Sequence, residues 1–268
     1  MIDGRKTSFP LSAASPGACG CMRAQIIPAG GLRCLVRVVG VAFGIAAGVW
    51  LAGASCGAAP AKTTAKAVPV PPTASVNPFY PGNREPLLPS PLIKLPIGSI
   101  QPRGWLRHQL ELEAQGMTGR LPEISKWCKF EGNAWADPQG RGHSSWEELP
   151  YWLKGYGDLG YVLGDPVITQ NARKWVEAVL ASQQADGWFG PIANKTGLEG
   201  KPDLWPHMVM CNVLQSFYEY SGDARVLPFL TKYFRWLNTL PDECFGAGYW
   251  PRIRFGDNVE TLQWLYNR

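Results

Sequence analysis

The sequence predicts an all-α protein built from helical hairpins that curve into part of a toroid. Apolar residues recur at steps of three and four along 146–163 and again along 168–180, the spacing of one buried helix face. A Gly-Asp pair separates these segments and recurs at 222–223. A loop of glycine, aromatic residues and proline closes each hairpin, at 187–191 and at 248–251. Such a repeat is typical of stacked hairpins that bury their faces against their neighbours.

The chain before these hairpins divides into a leader and a linker. Residues 1–61 carry basic residues followed by a run of apolar and small residues, 38–54, which is typical of a signal peptide. An uncleaved membrane anchor and a lipid on Cys56 are the alternatives. Residues 62–91 are rich in proline and alanine and predict a linker. We therefore expect an exported protein, periplasmic, secreted or surface-associated, that meets a membrane only if the leader is uncleaved or Cys56 is lipidated.

The predicted domain covers residues 92–268. A helix near 102–115 and a long structured loop over 116–144 come first. In the first hairpin, Ser145 and Glu148 have the spacing of a capping box. At its corner, Gly164 suits a left-handed residue after a helix, and Asp165-Pro166 suits the start of the next one.

The second hairpin is predicted to run from about Trp205 to Ser221 and, after Gly222-Asp223, to about Leu240. A further helix begins near Asp257. Because stacked hairpins need neighbours on both sides, we expect the toroid to be incomplete at the C-terminus.

Composition and charge exclude several function classes. The apolar fraction of 46% is that of a globular protein, and the formal charge of +5 comes mainly from residues before position 62. The near-neutral remainder argues against a nucleic-acid partner. Cys128, Cys211 and Cys244 form no CxxC pair and have no metal-site spacing, so we expect no cofactor within this chain. No HExxH, Gly-x-Ser-x-Gly or phosphate-loop motif is present.

Tryptophans beside acidic residues predict a carbohydrate partner. Proteins hold sugars by packing aromatic rings on CH faces and by accepting hydrogen bonds from hydroxyls. First-helix starts and second-helix ends lie at the same edge of a hairpin toroid, where we predict a substrate-binding site. Its predicted residues are Trp146, Glu148, Trp188, Asp203, His207 and Asp257, with Glu147, Trp205 and Asn258 beside them.

Each of these residues also has a structural interpretation. Glu147 and Glu148 are able to cap a helix, Asp203 and Asp257 are possible N-caps, and His207 fits an interior histidine. Glycoside hydrolysis generally needs two carboxyl groups across the scissile bond. The sequence does not select such a pair, so the catalytic residues stay unassigned.

Five segments resemble the N-terminal half of the catalytic barrel of glycoside hydrolase family 127, the β-L-arabinofuranosidase-like proteins. They read WEELPYWLKG, QQADGWFGP, DLWPHMVM, FYEYSGD and WLYNR, and the resemblance spans residues 92–268. The resemblance implies an (α/α)6 barrel that releases arabinofuranose from glycans. It also implies a cysteine nucleophile held on zinc by further cysteines and a glutamate. None of Cys128, Cys211 and Cys244 falls on those positions, so we expect zinc only in a full-length relative and the nucleophile beyond Arg268.

One departure from the family pattern concerns the substrate. The family's Glu-Leu-Tyr-x-x-Gly-His is replaced here by Asp203-Leu204-Trp205-Pro206-His207-Met208-Val209, so Val209 stands where the family has histidine. The leader and the resemblance together predict an exported glycoside hydrolase-like protein that acts on a polysaccharide or glycan, and its substrate need not be arabinose. The alternatives are a non-catalytic glycan-binding or scaffold protein, and another α/α-toroid enzyme such as a polysaccharide lyase or a terpenoid cyclase.

Overall fold

The computed structural model describes residues 81–90 and 92–268. The leader predicted at 1–61, residues 62–80 and Pro91 lie outside the described residues, so the boundaries predicted for the leader and the linker stay predictions. Within the described part, every helix is too short or too polar to span a lipid bilayer.

The described residues fold into α-helices, with no β-strand among them, which confirms the all-α prediction. The helices are α1 (Gly104–Gln115), α2 (Met117–Ile124), α3 (Glu148–Leu163), α4 (Pro166–Ala181), α5 (Trp205–Ser221), α6 (Val226–Leu237), α7 (Asp242–Phe245), α8 (Tyr249–Ile253) and α9 (Gly256–Tyr266).

The first helices of successive hairpins form a row. In this row α1 packs against α3, α3 against α5, and α5 against α9. The second helices α4 and α6 pack against α3 and α5, their own hairpin partners. The core lies between these helices and includes Trp152, Trp175 and Trp236, whose burial matches the packing role expected from their spacing. The hairpin stack of an (α/α)6-type domain is therefore present.

The first Gly-Asp corner forms as predicted. The second has the same left-handed glycine, but Arg225 is the N-cap residue of α6 and no side chain caps that helix. Gly164 has φ 66° and Gly222 has φ 68°, the left-handed region that glycine adopts at little cost. Asp165 Oδ1 accepts from the amides of Val167 and Ile168 at 2.9 and 3.0 Å, so its carboxylate caps α4. This first corner depends on contacts within four residues, which explains why local sequence predicts it.

The capping box predicted at the start of α3 does not form. Glu147 is the N-cap residue of α3, and no side chain caps the helix. Ser145 lies two residues earlier, where its carbonyl accepts a 2.7 Å hydrogen bond from Asn194 Nδ2. This long-range contact keeps Ser145 outside the helix, so it does not serve as the N-cap.

The segment predicted as a loop over 116–144 contains helix α2 and a 3-10 turn, Lys126–Cys128. Helix α2 includes Pro122, which has no amide to pair with the carbonyl of Thr118. Instead, Trp152 Nε1 donates to that carbonyl at 2.9 Å. The prediction was wrong here because a tertiary contact compensates for the proline. Most of the loop predicted at 248–251 is likewise helical, because α8 covers Tyr249–Ile253.

Candidate functional site

The N-terminal ends of α3, α5 and α9 meet on one side of the helix row. Trp205 Nε1 donates a hydrogen bond to Glu147 Oε2, which joins the starts of α3 and α5. The rings of Tyr151 and Trp205 lie 5.8 Å apart between centroids. The Arg254 guanidinium carbon lies 5.9 Å from the Trp205 ring centroid. We call this surface the rim, and it consists of Glu147, Tyr151, Trp205, Trp250, Arg254 and Asp257.

Trp146 and Asp203 form a pair behind the rim. Trp146 Nε1 donates to Asp203 Oδ2 at 2.9 Å, and Asp203 Oδ1 accepts from the Trp205 amide at 3.2 Å. The Trp146 carbonyl also accepts from Trp135 Nε1 at 3.2 Å. Both carboxylate oxygens of Asp203 therefore have protein donors, and the pair positions Trp205 at the start of α5.

Glu147 and Glu148 point to different surroundings. Successive residues of a helix differ in direction by about 100°, so only one of the two contacts Trp205. That residue is Glu147. Glu148 instead lies near Cys128, where burial, with a smaller contribution from Glu148, raises the pKa of the thiol to about 11. Glu147 thus occupies the rim position that the sequence analysis assigned to Glu148.

Charged groups surround the exposed phenol of Tyr151. Partial burial raises the pKa of Tyr151, Glu147 and Asp257 raise it further, and Arg254 lowers it. Asp257, predicted from the sequence, therefore lies near enough to Tyr151 to belong to the rim. Tyr151 is 47% exposed and Trp250 is 40% exposed, so their rings are accessible from solvent. The rim combines exposed aromatic faces with carboxylates and one guanidinium.

Trp188 and His207, both predicted site residues, lie in the core with no exposed surface. Their ring centroids are 4.1 Å apart, and Trp188 also packs against Trp236 at 4.9 Å. His207 Nε2 lies 2.7 Å from the Phe189 carbonyl, which only accepts, so Nε2 carries the proton. Burial lowers the pKa of His207 to about 4. The structure thus agrees with the interior-histidine interpretation and does not place either ring on the rim.

The family model of the β-L-arabinofuranosidase GH127 catalytic domain matches residues 105–268. The chain belongs to the GH127 family. This membership supports a glycoside hydrolase-like function on an arabinofuranoside-type substrate, and it agrees with the helical hairpins described above. No curated protein matches the chain, and no solved structure matches it.

The described residues of this GH127 domain do not form the zinc–thiolate centre that the family implies. Cys128, Cys211 and Cys244 are free and buried, and burial raises the pKa of both Cys128 and Cys211. A reactive or zinc-binding cysteine has a lowered pKa, because its thiolate is stabilised. The pKa values of Cys128 and Cys211 are shifted in the opposite direction. Within 81–90 and 92–268, no three His, Cys, Asp or Glu side chains are grouped to hold a metal ion.

Three rim residues of the GH127 domain, Tyr151, Trp250 and Arg254, were missed by the sequence analysis. Tyr151 stands four residues after Glu147 on α3, so its helical spacing was a usable signal. Arg254 follows the short helix α8 and had no recognisable motif. Asn258 was noted, and it is 3% exposed with neither amide atom hydrogen-bonded within the described chain. Its position on α9 places this polar group one residue from Asp257.

Proposed function

We propose that this chain is an exported glycoside hydrolase-like protein whose rim binds the arabinofuranoside-type part of a glycan. One observation supports this most directly. In a GH127 domain, the starts of three first helices bring the aromatic residues Tyr151 and Trp205 together with the carboxylates of Glu147 and Asp257.

The chemistry of the rim suits a sugar ring. The exposed faces of Tyr151 and Trp250 pack against sugar CH groups, and Glu147 and Asp257 accept hydrogen bonds from hydroxyls. Trp205 is only 2% exposed, so it supports the rim through Glu147 instead of offering its own face. Asp203 and Trp146 act one layer further back, because they hold the start of α5.

A non-catalytic glycan-binding role is the second candidate, and the cysteines favour it. All three described cysteines are buried, burial raises the pKa of the Cys128 and Cys211 thiols, and no three metal-ligating side chains are grouped within the described residues. A chain of this kind binds the sugar without cleaving it. Equilibrium binding and hydrolysis measured on the same arabinofuranosyl oligosaccharides separate the two roles.

The binding experiment uses Tyr151→Ala and Trp250→Ala, with Tyr220→Ala as the matched control. Tyr220 is 40% exposed, but it stacks on Tyr161 at 4.3 Å near the opposite end of α5. Loss of one aromatic face is expected to weaken binding about fivefold to tenfold. The control should bind like the wild type. If both rim variants retain the wild-type affinity, the rim is not the sugar-binding surface.

Export forms the other part of the proposal and is supported by the basic and apolar pattern of residues 1–61. Expression of the full chain, followed by N-terminal sequencing of the extracytoplasmic fraction, tests it. We expect a new N-terminus near the small residues that precede position 62. Recovery of the uncleaved chain in the cytoplasm would contradict export.

A further inference from the structure

Arg254 is the cation of the rim. It directly follows α8 and is exposed. Its guanidinium carbon lies 5.9 Å from the ring centroid of Trp205 and 6.0 Å from that of Trp250. Both distances are at the outer limit of a cation–π contact, so the guanidinium lies beside the two indole rings without being packed flat on either.

The hydrogen-bonding capacity of Arg254 is unused. Within the described chain, Arg225 pairs with Glu177 and Asp223, and Arg268 pairs with Glu219. The Arg254 side chain takes part in no comparable ion pair or hydrogen bond among the described residues. A guanidinium with free donors presents a planar fork that fits a carboxylate through two parallel hydrogen bonds.

The two rim acids restrict where a ligand carboxylate fits. Glu147 and Asp257 raise the pKa of Tyr151 and Arg254 lowers it, so both acids and the guanidinium lie close to this one ring. A ligand carboxylate beside these acids would be repelled. A ligand carboxylate placed beside Arg254 and the exposed ring of Trp250 would instead pair with the guanidinium. Sugar hydroxyls donate hydrogen bonds, so they fit beside the carboxylates of Glu147 and Asp257.

We propose that the glycan bound at the rim contains a uronate, a sugar with a carboxylate, next to the arabinofuranoside. This inference rests on the function proposed above and specifies its substrate class. Arg254 holds the uronate carboxylate, Trp250 packs on the ring that bears it, and Glu147 and Asp257 accept hydroxyls from the neighbouring sugar. Arg254 acts as a specificity-determining residue in this arrangement.

The test compares two ligands that differ in one group. The first is an arabinofuranosyl oligosaccharide that contains a uronate, and the second is the same oligosaccharide after reduction of its carboxyl group to an alcohol. Binding of both to the full chain is measured by calorimetry at low and at moderate salt. A charge-assisted bidentate contact predicts about tenfold tighter binding of the uronate form. Because Arg254 is exposed, salt should reduce this preference, but a direct contact shorter than the screening length should keep part of it at moderate salt.

The variants are Arg254→Gln, Arg254→Lys and the matched control Arg252→Gln. Arg252 is exposed on α8 two residues away, so its substitution removes the same charge but leaves the Arg254 guanidinium in place. Arg254→Gln should lower the affinity for the uronate form to that for the reduced form. Arg254→Lys should retain part of the preference, since lysine keeps the charge but not the planar fork. Arg252→Gln should keep the full preference.

Three results would overturn the inference. Equal wild-type affinity for both ligands removes the uronate assignment but leaves the proposed arabinofuranoside function standing. An unchanged preference in Arg254→Gln, or an equal loss in Arg252→Gln, removes Arg254 as its cause. Failure of the wild type to bind either ligand rejects the proposed function together with the inference.

Discussion

The indole nitrogen of Trp146 donates a 2.9 Å hydrogen bond to the carboxylate of Asp203. This contact joins the segment before α3 to the segment before α5, two stretches that are distant in sequence. Because Asp203 also accepts from the amide of Trp205, it connects the pair to the rim. The convergence of the two helix starts therefore depends on a partly buried polar contact as well as on the apolar core.

Replacement of Asp203 by alanine is expected to lower the free energy of unfolding. It leaves the Trp146 indole and the Trp205 amide without their acceptor, which costs about 1–3 kcal/mol. Urea titration of Asp203→Ala, Trp146→Phe and the double variant measures the coupling between the residues. We expect the second substitution to cost less once the first is made. Strictly additive effects would contradict the contact.

Substitution of Trp152 by phenylalanine tests how α2 tolerates Pro122. The variant loses the donor to the Thr118 carbonyl, and we expect a loss of about 1–2 kcal/mol in the free energy of unfolding. Pro122→Ala restores an amide that is able to pair with this carbonyl. The cost of Trp152→Phe should therefore be smaller in the Pro122→Ala background. An equal cost in both backgrounds, in denaturant titrations, would show that only packing is lost.

His207 predicts a specific dependence of stability on pH. Burial lowers its pKa from 6.5 to about 4 in the folded state, so the unfolded chain binds the proton more tightly. Stability therefore rises with pH between about 4 and 6.5, and on the order of 3 kcal/mol is lost through this residue as the pH falls across that window.

The variant His207→Gln keeps a donor for the Phe189 carbonyl but does not titrate. The difference in unfolding free energy between wild type and variant should shrink as the pH is lowered from 7 to 4. Titration of carboxylates affects both proteins and cancels in this difference. A difference that stays constant from pH 7 to pH 4 would show that His207 is not buried as a neutral ring.

Asn258 tests whether a buried amide that lacks hydrogen-bond partners contributes to stability. Its side chain is buried and makes no hydrogen bond to the described residues, so Asn258→Leu removes no such bond. We expect the melting temperature of the variant to be unchanged or raised. Asn212→Leu is the comparison, because Asn212 donates to the Met208 carbonyl at 3.0 Å. A clear fall in melting temperature for Asn258→Leu would reveal a hydrogen bond that the structure does not show.

Local sequence was sufficient to place most of the helices. Gly164, Asp165 and Pro166 act on atoms only a few residues away, and the apolar spacing of α3 and α4 reports directly which helix faces are buried. Interactions of such short range are encoded in the order of residues, so the hairpins and their corners are predictable. Helix α2 was missed because its stability against Pro122 depends on Trp152, which lies 34 residues away from Thr118.

The composition of the rim, in contrast, is decided by tertiary packing. Trp188 and Tyr151 are both aromatic residues in the predicted hairpins, yet one has no exposed surface and the other is 47% exposed. The difference arises because the loop after α4 folds onto Trp236 and Tyr233, whereas the start of α3 faces outward beside Trp205. Exposure depends on neighbours that are remote in sequence, so residue type and spacing alone do not separate a sugar-facing ring from a core ring.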